Sequence, residues 1–183
     1  MVNIFAPSET ELEILRADFE DMNSFSKERL FHGADAEFWE ELEYYLDGTF
    51  EQLFFKEGTT WELLEDLVDY DFTGPDGVLD VLDALESGQV PMYSDSLTNE
   101  QLASWLLEHN MLNRRGNLCI PTGTRLRLVK RAGYCDGGNT WQLQDADVRF
   151  MYSLSGFTGA LRKFITKAQV LELLTAVGEG LEL

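Results

Sequence analysis

The chain has 183 residues, and its 14 Lys and Arg against 33 Asp and Glu give a formal net charge of −19 at neutral pH. Apolar residues make up 44% of the sequence and include 12 Phe, 6 Tyr and 4 Trp, which supports a folded core and excludes global disorder. No run of 18 apolar residues occurs, so we expect no membrane span, and the negative charge argues against simple binding to nucleic acids or anionic membranes.

The first half of the chain predicts short amphipathic helices. Ser8 and Glu11 have the spacing of a capping box and precede apolar residues at helical intervals, which indicates a first helix. Asp35 is suited to cap a second helix. We expect that helix to end at Gly48 and a short third piece to begin at Thr49.

Two further helices are expected between residues 59 and 88. One begins at a capping box formed by Thr59 and Glu62, and the other is capped by Asp76. Both carry apolar residues at helical spacing. Residues 1–90 are therefore predicted to form an acidic, all-helical module.

The second half predicts mixed structure. Thr98 and Gln101 form a capping box for a helix that ends near His109, and a last helix begins near Thr166. Alternating apolar residues predict strands at 118–120, 124–131, 141–143 and 148–154. Residues 91–183 are therefore expected to form a small antiparallel sheet flanked by helices, which makes the chain α+β.

Charge is divided unevenly between the two halves. Residues 1–95 hold 25 acids and 4 bases, whereas residues 96–183 hold 8 acids and 10 bases. From Glu57 to Asp95 there are 11 acids and no base. Such asymmetry is typical of two modules or of an interaction surface, and we expect the boundary within residues 87–96.

Acidic residues in this base-free segment follow helical spacing on the two predicted helices. Lys or Arg one turn away would normally relieve their repulsion, and none is present. Such helices side by side would approach the charge density of a nucleic acid. A solvated face is the simpler alternative. The predicted partner-binding residues are Glu62, Glu65, Asp66, Asp69, Asp76, Asp80 and Asp83.

These features favour a non-enzymatic acidic interaction protein. Its partner would be a protein with a basic, nucleic-acid-binding cleft, which the carboxylates would occupy in place of phosphates. Phage-encoded inhibitors such as antirestriction and anti-CRISPR proteins are of this physical type. The analogy is one of charge and size alone.

A basic segment in the second half offers an alternative. From Asn110 to Tyr134 there are six bases and no acid: Arg114, Arg115, Arg125, Arg127, Lys130 and Arg131. Together with Trp141 they have the residue types that contact phosphates and stack a base, as in a nucleic-acid-binding regulatory protein. We favour instead a contact of this basic face with the acidic module, within one chain or between subunits of a homo-oligomer. Direct nucleic-acid binding is not expected.

Residues 69–80 partly fit the calcium loop of a helix–loop–helix hand. The ligands would be Asp69, Asp71, Thr73 and Asp80. A Thr at the fifth position and an Asp in place of the last Glu depart from that pattern, and an acidic turn between two helices is the simpler reading. A calcium-binding adaptor is the second alternative, and no other cofactor is expected.

We expect no catalytic site. Cys135 lies in a Gly-rich loop without a known flanking signature, and His109 lies at a helix end, where it suits the helix dipole. The glycines match neither the phosphate loop nor the dinucleotide fingerprint. Two cysteines and an acidic N-terminal stretch unlike a secretory signal predict a cytoplasmic location.

Overall fold

The computed structural model describes residues 6–71, 81–87, 92–111, 117–131, 139–152 and 161–178. The described helices are α1 (Glu9–Glu20), α2 (Ser24–His32), α3 (Asp35–Phe54), α4 (Val81–Glu86), α5 (Asn99–Glu108) and α6 (Lys167–Gly178). The described strands are β1 (Thr60–Glu62), β2 (Leu67–Asp71), β3 (Met92–Ser94), β4 (Asn117–Ile120), β5 (Arg125–Arg131), β6 (Asn139–Leu143) and β7 (Val148–Tyr152). The predicted α+β class is confirmed.

Backbone contacts divide the chain into two units. The helical unit comprises Met1–Lys56 and Leu154–Leu183, and the sheet unit comprises Glu57–Ser153. Helices α1, α2, α3 and α6 belong to the helical unit, and the described strands belong to the sheet unit with α4 and α5. The division by charge into residues 1–90 and 91–183 is a different grouping and stays a prediction.

Local capping begins the helices of the helical unit. The Ser8 hydroxyl accepts the Glu11 N–H, and the Glu11 carboxylate accepts the Ser8 N–H, so the predicted capping box is confirmed. Helix α2, which sequence reasoning missed, is capped by Asn23, whose side chain accepts the Ser26 N–H at 2.8 Å. These caps satisfy N–H groups that a helix start leaves without partners.

Helix α3 runs unbroken from Asp35 to Phe54, so the expected end at Gly48 and restart at Thr49 are wrong. Leu46 and Phe50, on either side of the glycine, are both fully buried. Side chains four residues apart lie on one helix face. Burying these two outweighs the roughly 0.5–1 kcal/mol that a glycine costs inside a helix.

The C-terminal part of the chain completes the helical core. The Phe164 ring lies edge-on to Phe55, with centroids 5.6 Å apart. The Lys167 ammonium at the start of α6 pairs with Asp35 at 3.0 Å, and α6 buries Val170 and Leu174. The helical unit is therefore built from two segments that are distant in sequence.

The sheet unit contains a five-stranded antiparallel sheet in the order β1-β5-β6-β7-β3, and β2 pairs with β4 separately. In β5 the fully buried Leu126 and Leu128 alternate with the exposed Arg125 and Arg127. This confirms the predicted period of two. Helix α5 starts at the predicted capping box of Thr98.

The prediction of a helix starting at Thr59 is wrong, because Thr60–Glu62 and Leu67–Asp71 are strands. Trp61 and Leu63 are both buried, which is the period of a strand with one covered face. Pairing with β5 buries these side chains, and this tertiary contact outweighs the local helix signal.

Two contacts, one tertiary and one local, explain why the chain enters a strand here. Gly58 adopts a φ of 85°, a conformation that favours glycine, and its N–H donates to the Leu128 carbonyl at 2.6 Å. The Thr59 hydroxyl, expected to cap a helix, accepts the indole N–H of Trp61 at 3.0 Å instead. Thr59 and Glu62 thus have the sequence spacing of a capping box, but they do not cap a helix.

A helix is expected from Asp76 to Gly88, and residues Val81–Glu86 do form one. The two predicted end residues lie outside the described residues. Since residues 60–62 and 67–71 are strands, the expectation that the whole of 1–90 is helical is wrong.

Replacing Gly33 by Ala should lower the free energy of unfolding by about 1–3 kcal/mol. An added Cβ would overlap the Arg29 carbonyl oxygen and lie 2.7 Å from a Glu37 carboxylate oxygen. The matched control is Gly48→Ala, which meets open space in the middle of α3 and should add about 0.5–1 kcal/mol. Urea unfolding measures both, and equal effects of the two changes would contradict the close packing at Gly33.

The Lys56 ammonium, helped by the Ser8 hydroxyl and N–H, lowers the pKa of Glu11 to about 2. A pKa lowered on folding gives stability that is present above the ordinary value of 4.5 and is lost as pH falls toward 2. Glu11→Gln should therefore destabilise the protein at pH 7 and make little difference near pH 2. Urea unfolding across this range is the measurement.

Lys56→Met removes the main partner of Glu11 and should weaken the same pH dependence. A Glu11→Gln variant whose stability falls with pH as steeply as the wild type would show that this ion pair does not contribute.

Candidate functional site

The predicted partner-binding carboxylates between residues 62 and 69 do not form a helical stripe. Glu62 lies in β1, Glu65 and Asp66 follow it in a turn, Asp69 lies in β2, and Asp83 is exposed on α4. Asp76 and Asp80 lie outside the described residues. The spacing assumed for residues 62–69 requires a helix, so that arrangement is wrong.

Glu62 faces a residue of the predicted basic set. It is the cross-strand partner of Arg125, and its Oε2 lies 3.8 Å from the Arg125 Nε. Opposite charges directly across a strand pair stabilise the pairing modestly. At this position an acidic and a basic side chain offset each other inside the sheet unit.

Asp66 has a structural contact. Its Oδ1 accepts the N–H of Thr122 at 2.8 Å and the hydroxyl of the same residue at 2.9 Å. These bonds tie the turn after β1 to the turn before β5. The Asp66 carboxylate is thus engaged within the fold.

The basic set is only partly described. Arg125 and Arg127 are exposed on β5, Lys130 and Arg131 continue that strand with side chains outside the description, and Arg114 and Arg115 lie outside the described residues. Trp141 is 1% exposed and pairs with Leu128 in the core. It cannot stack a base from this position, so the alternative in which Trp141 contacts nucleic acid is wrong.

The context expected of a calcium hand is absent on its N-terminal side. Asp69 and Asp71 lie in β2, which pairs with β4, whereas the hand requires a helix before its first ligand. Thr73 and Asp80 lie outside the described residues. Within the described part of the chain, no group of three or more metal-ligating side chains comes together.

His109, at the end of α5, has a structural contact within its own helix. His109 stacks on Trp105 with ring centroids 4.0 Å apart, and its Nδ1 lies 2.8 Å from the Trp105 carbonyl oxygen. Cys135 lies outside the described residues. Burial and then the Asp66 carboxylate raise the pKa of the other thiol, Cys119, which disfavours the reactive thiolate.

A cavity of about 520 Å³ lies in the helical unit between α1, α2 and α6. Phe19, Phe31 and Leu174 supply apolar lining, and Lys27, Glu28 and His32 supply polar groups. Phe19 and Leu174 are at most 2% exposed, and the accessible lining of the cavity is mostly apolar.

Among the described elements, helix α3 has the largest number of acids, which sequence reasoning did not single out. Its twenty residues include seven acids and no base: Asp35, Glu37, Glu40, Glu41, Glu43, Asp47 and Glu51. The signal was available, because no Lys or Arg occurs between Arg29 and Lys56. Counting acids between successive bases, which identified residues 57–95 as a base-free acidic segment, would also have identified this one.

One cation of α2 serves three carboxylates of α3. The Arg29 guanidinium lies 2.8 Å from Glu41, 3.1 Å from Glu40 and 3.8 Å from Glu37. Glu41 is buried and takes the shortest contact, whereas the Glu40 side chain is 71% exposed. The cluster keeps a formal charge of −2 after this pairing.

Two aromatic side chains beside this cluster are exposed to solvent. Phe25 is 67% exposed, and the Arg29 guanidinium carbon lies 5.7 Å from its ring centroid. Tyr44 is 79% exposed and follows Glu40 by one helical turn. We call Phe25, Arg29, Glu40, Glu43 and Tyr44 the α2–α3 surface.

Asp66→Ala should lower the free energy of unfolding by about 1 kcal/mol, because the Thr122 N–H and hydroxyl lose their acceptor. Asp147→Ala is the matched control: it removes an exposed carboxylate of the same unit and should change stability by less than about 0.5 kcal/mol. Thermal unfolding measures both. Equal stability of the two variants would show that the contact to Thr122 is energetically neutral.

Among the described residues, no helix is long and apolar enough to cross a membrane. No protein-family model, curated protein or solved structure shows significant similarity to this chain.

Proposed function

We propose that this chain is a non-enzymatic acidic interaction protein that binds a basic surface of another protein, of the kind that otherwise holds nucleic acid. The observation that carries the proposal is the excess of carboxylates on α3. Seven acids lie along one helix without a base, and three of them share Arg29.

The charge density of α3 supports this partner chemistry. A helix of twenty residues is about 30 Å long, so seven carboxylates give about one charge per 4 Å. One strand of DNA carries one charge per about 3.4 Å. The formal acidic charge per length of α3 is therefore similar to that of one DNA strand, and Arg29 and Lys167 offset two of the seven charges.

The charge of the free protein supports a protein partner over a nucleic acid. The sheet unit holds 16 acids and 7 bases, and the helical unit holds 17 acids and 7 bases. Both units thus repel phosphates at long range and attract a basic protein. A bound cationic surface would also relieve the repulsion among the α3 carboxylates.

Capture followed by displacement tests the proposal. A nuclease-treated lysate is passed over the immobilised chain at low ionic strength, and bound proteins are eluted with a short DNA duplex. We expect the duplex to release a nucleic-acid-binding protein, because both ligands occupy the same cleft. Raising the salt concentration to about 0.5 M should also release it, since screening weakens exposed charge pairs.

Two double variants with equal changes in charge provide the control. Glu40→Gln with Glu43→Gln should abolish capture, whereas Glu108→Gln with Glu172→Gln, on α5 and α6, should preserve it. Equal capture by both variants would contradict a role for α3. Failure of the duplex to displace the bound protein would contradict mimicry of nucleic acid.

A further inference from the structure

The α2–α3 surface contains an internal example of how it binds a cation. The Arg29 guanidinium lies over the Phe25 ring at 5.7 Å while its nitrogens donate to Glu40 and Glu41. A planar guanidinium is suited to this double contact, because it stacks on a ring and hydrogen-bonds to carboxylates in its own plane. An ammonium can also lie over a ring, as Lys167 does 5.3 Å from the Phe38 centroid while it pairs with Asp35, but it has no plane to stack and no fork of donors.

The neighbouring turn of α3 repeats this combination of groups. Tyr44 presents a 79% exposed ring, with Glu40 one turn before it and Glu43 directly before it. Both carboxylates are exposed. Among the described residues, no Lys or Arg pairs with Glu43, and Glu40 shares Arg29 with two other glutamates.

Side-chain contacts between α2 and α3 connect the two rings. The Tyr44 ring contacts Tyr45 with centroids 4.7 Å apart. The Tyr45 hydroxyl accepts hydrogen bonds from Asn23, the N-cap of α2, and from Ser26, which follows Phe25 in α2. Arg29 joins Phe25 to Glu40 from the other side. Exposed aromatic side chains in such a surface are typical of the energetic centre of a protein interface.

We infer that Tyr44, Glu40 and Glu43 form a binding site for an arginine side chain of the partner, so that the α2–α3 surface recognises an arginine-rich segment in preference to a lysine-rich one. This inference rests on the proposed function, and it specifies where on α3 the basic partner binds. Charge complementarity selects a basic segment, and the exposed ring beside two carboxylates selects arginine within that class.

The test compares an arginine-rich peptide with a counterpart of equal length and charge in which every Arg is Lys. Titration followed by calorimetry, at low ionic strength, gives the dissociation constant of each peptide for the whole chain. We expect the arginine peptide to bind more tightly by about two- to fivefold, the effect of one cation–π contact at an exposed site.

Variants locate that preference. Tyr44→Ala should remove it by weakening only the arginine peptide, and Tyr44→Phe should keep it, because the ring face remains. Glu43→Gln should weaken both peptides alike, since both lose a charge contact. Tyr93→Ala, which removes an exposed tyrosine from β3 in the sheet unit, is the matched control and should leave the preference intact.

The outcomes separate this inference from the proposed function. Equal binding of the two peptides, or an arginine preference that survives Tyr44→Ala, would overturn the arginine site while leaving a basic partner in place. Binding of neither peptide at low ionic strength would contradict both the site and the proposed function.

Discussion

Scarcity of cations is the constraint on which much of this structure depends. With 14 Lys and Arg for 33 carboxylates, each described cation pair joins elements that must stay together. Arg29 links α2 to α3, Lys56 links the end of α3 to α1, and Lys167 links α6 to α3. In the sheet unit, Arg125 links β5 to β1, and Arg149 of β7 reaches Asp95 just after β3 at 2.6 Å. The cations thus hold neighbouring elements together, and much of the acidic surface keeps its charge.

Repulsion among the remaining acidic charges lowers the stability of the fold, and burial of apolar side chains offsets this loss. Like charges along α3 repel one another, yet the helix runs through Gly48 because its opposite face packs Phe38, Leu42 and Phe50 into the core. Because burial of its apolar face stabilises α3, the opposite face can carry like charges whose repulsion would destabilise an isolated helix. The same division explains how two aromatic rings and several carboxylates are held in the open on a rigid support, as an interaction surface requires.

Sequence reasoning succeeded where a local group decides the structure. The hydroxyls of Ser8 and Thr98 cap helices as predicted, and the alternation at Arg125 to Leu128 identifies a strand with one buried face. It failed at Thr59, where pairing with a strand more than sixty residues away overrides a helix signal. The charge of α3 was not singled out, although six of its seven acids precede Gly48 within the expected helix, because the longer base-free segment 57–95 carried the prediction.

The division of the helical unit into two distant segments also affects how the protein is made. Residues 1–56 leave the ribosome first, but part of their core, including the edge of Phe164 against Phe55, comes from residues 154–183. Between them lie the 97 residues 57–153, which take roughly 5–20 s to translate at common rates. The sheet unit, continuous in sequence, can fold during that interval. The N-terminal helices must wait with apolar surface uncovered, and their dense negative charge then keeps nascent chains apart.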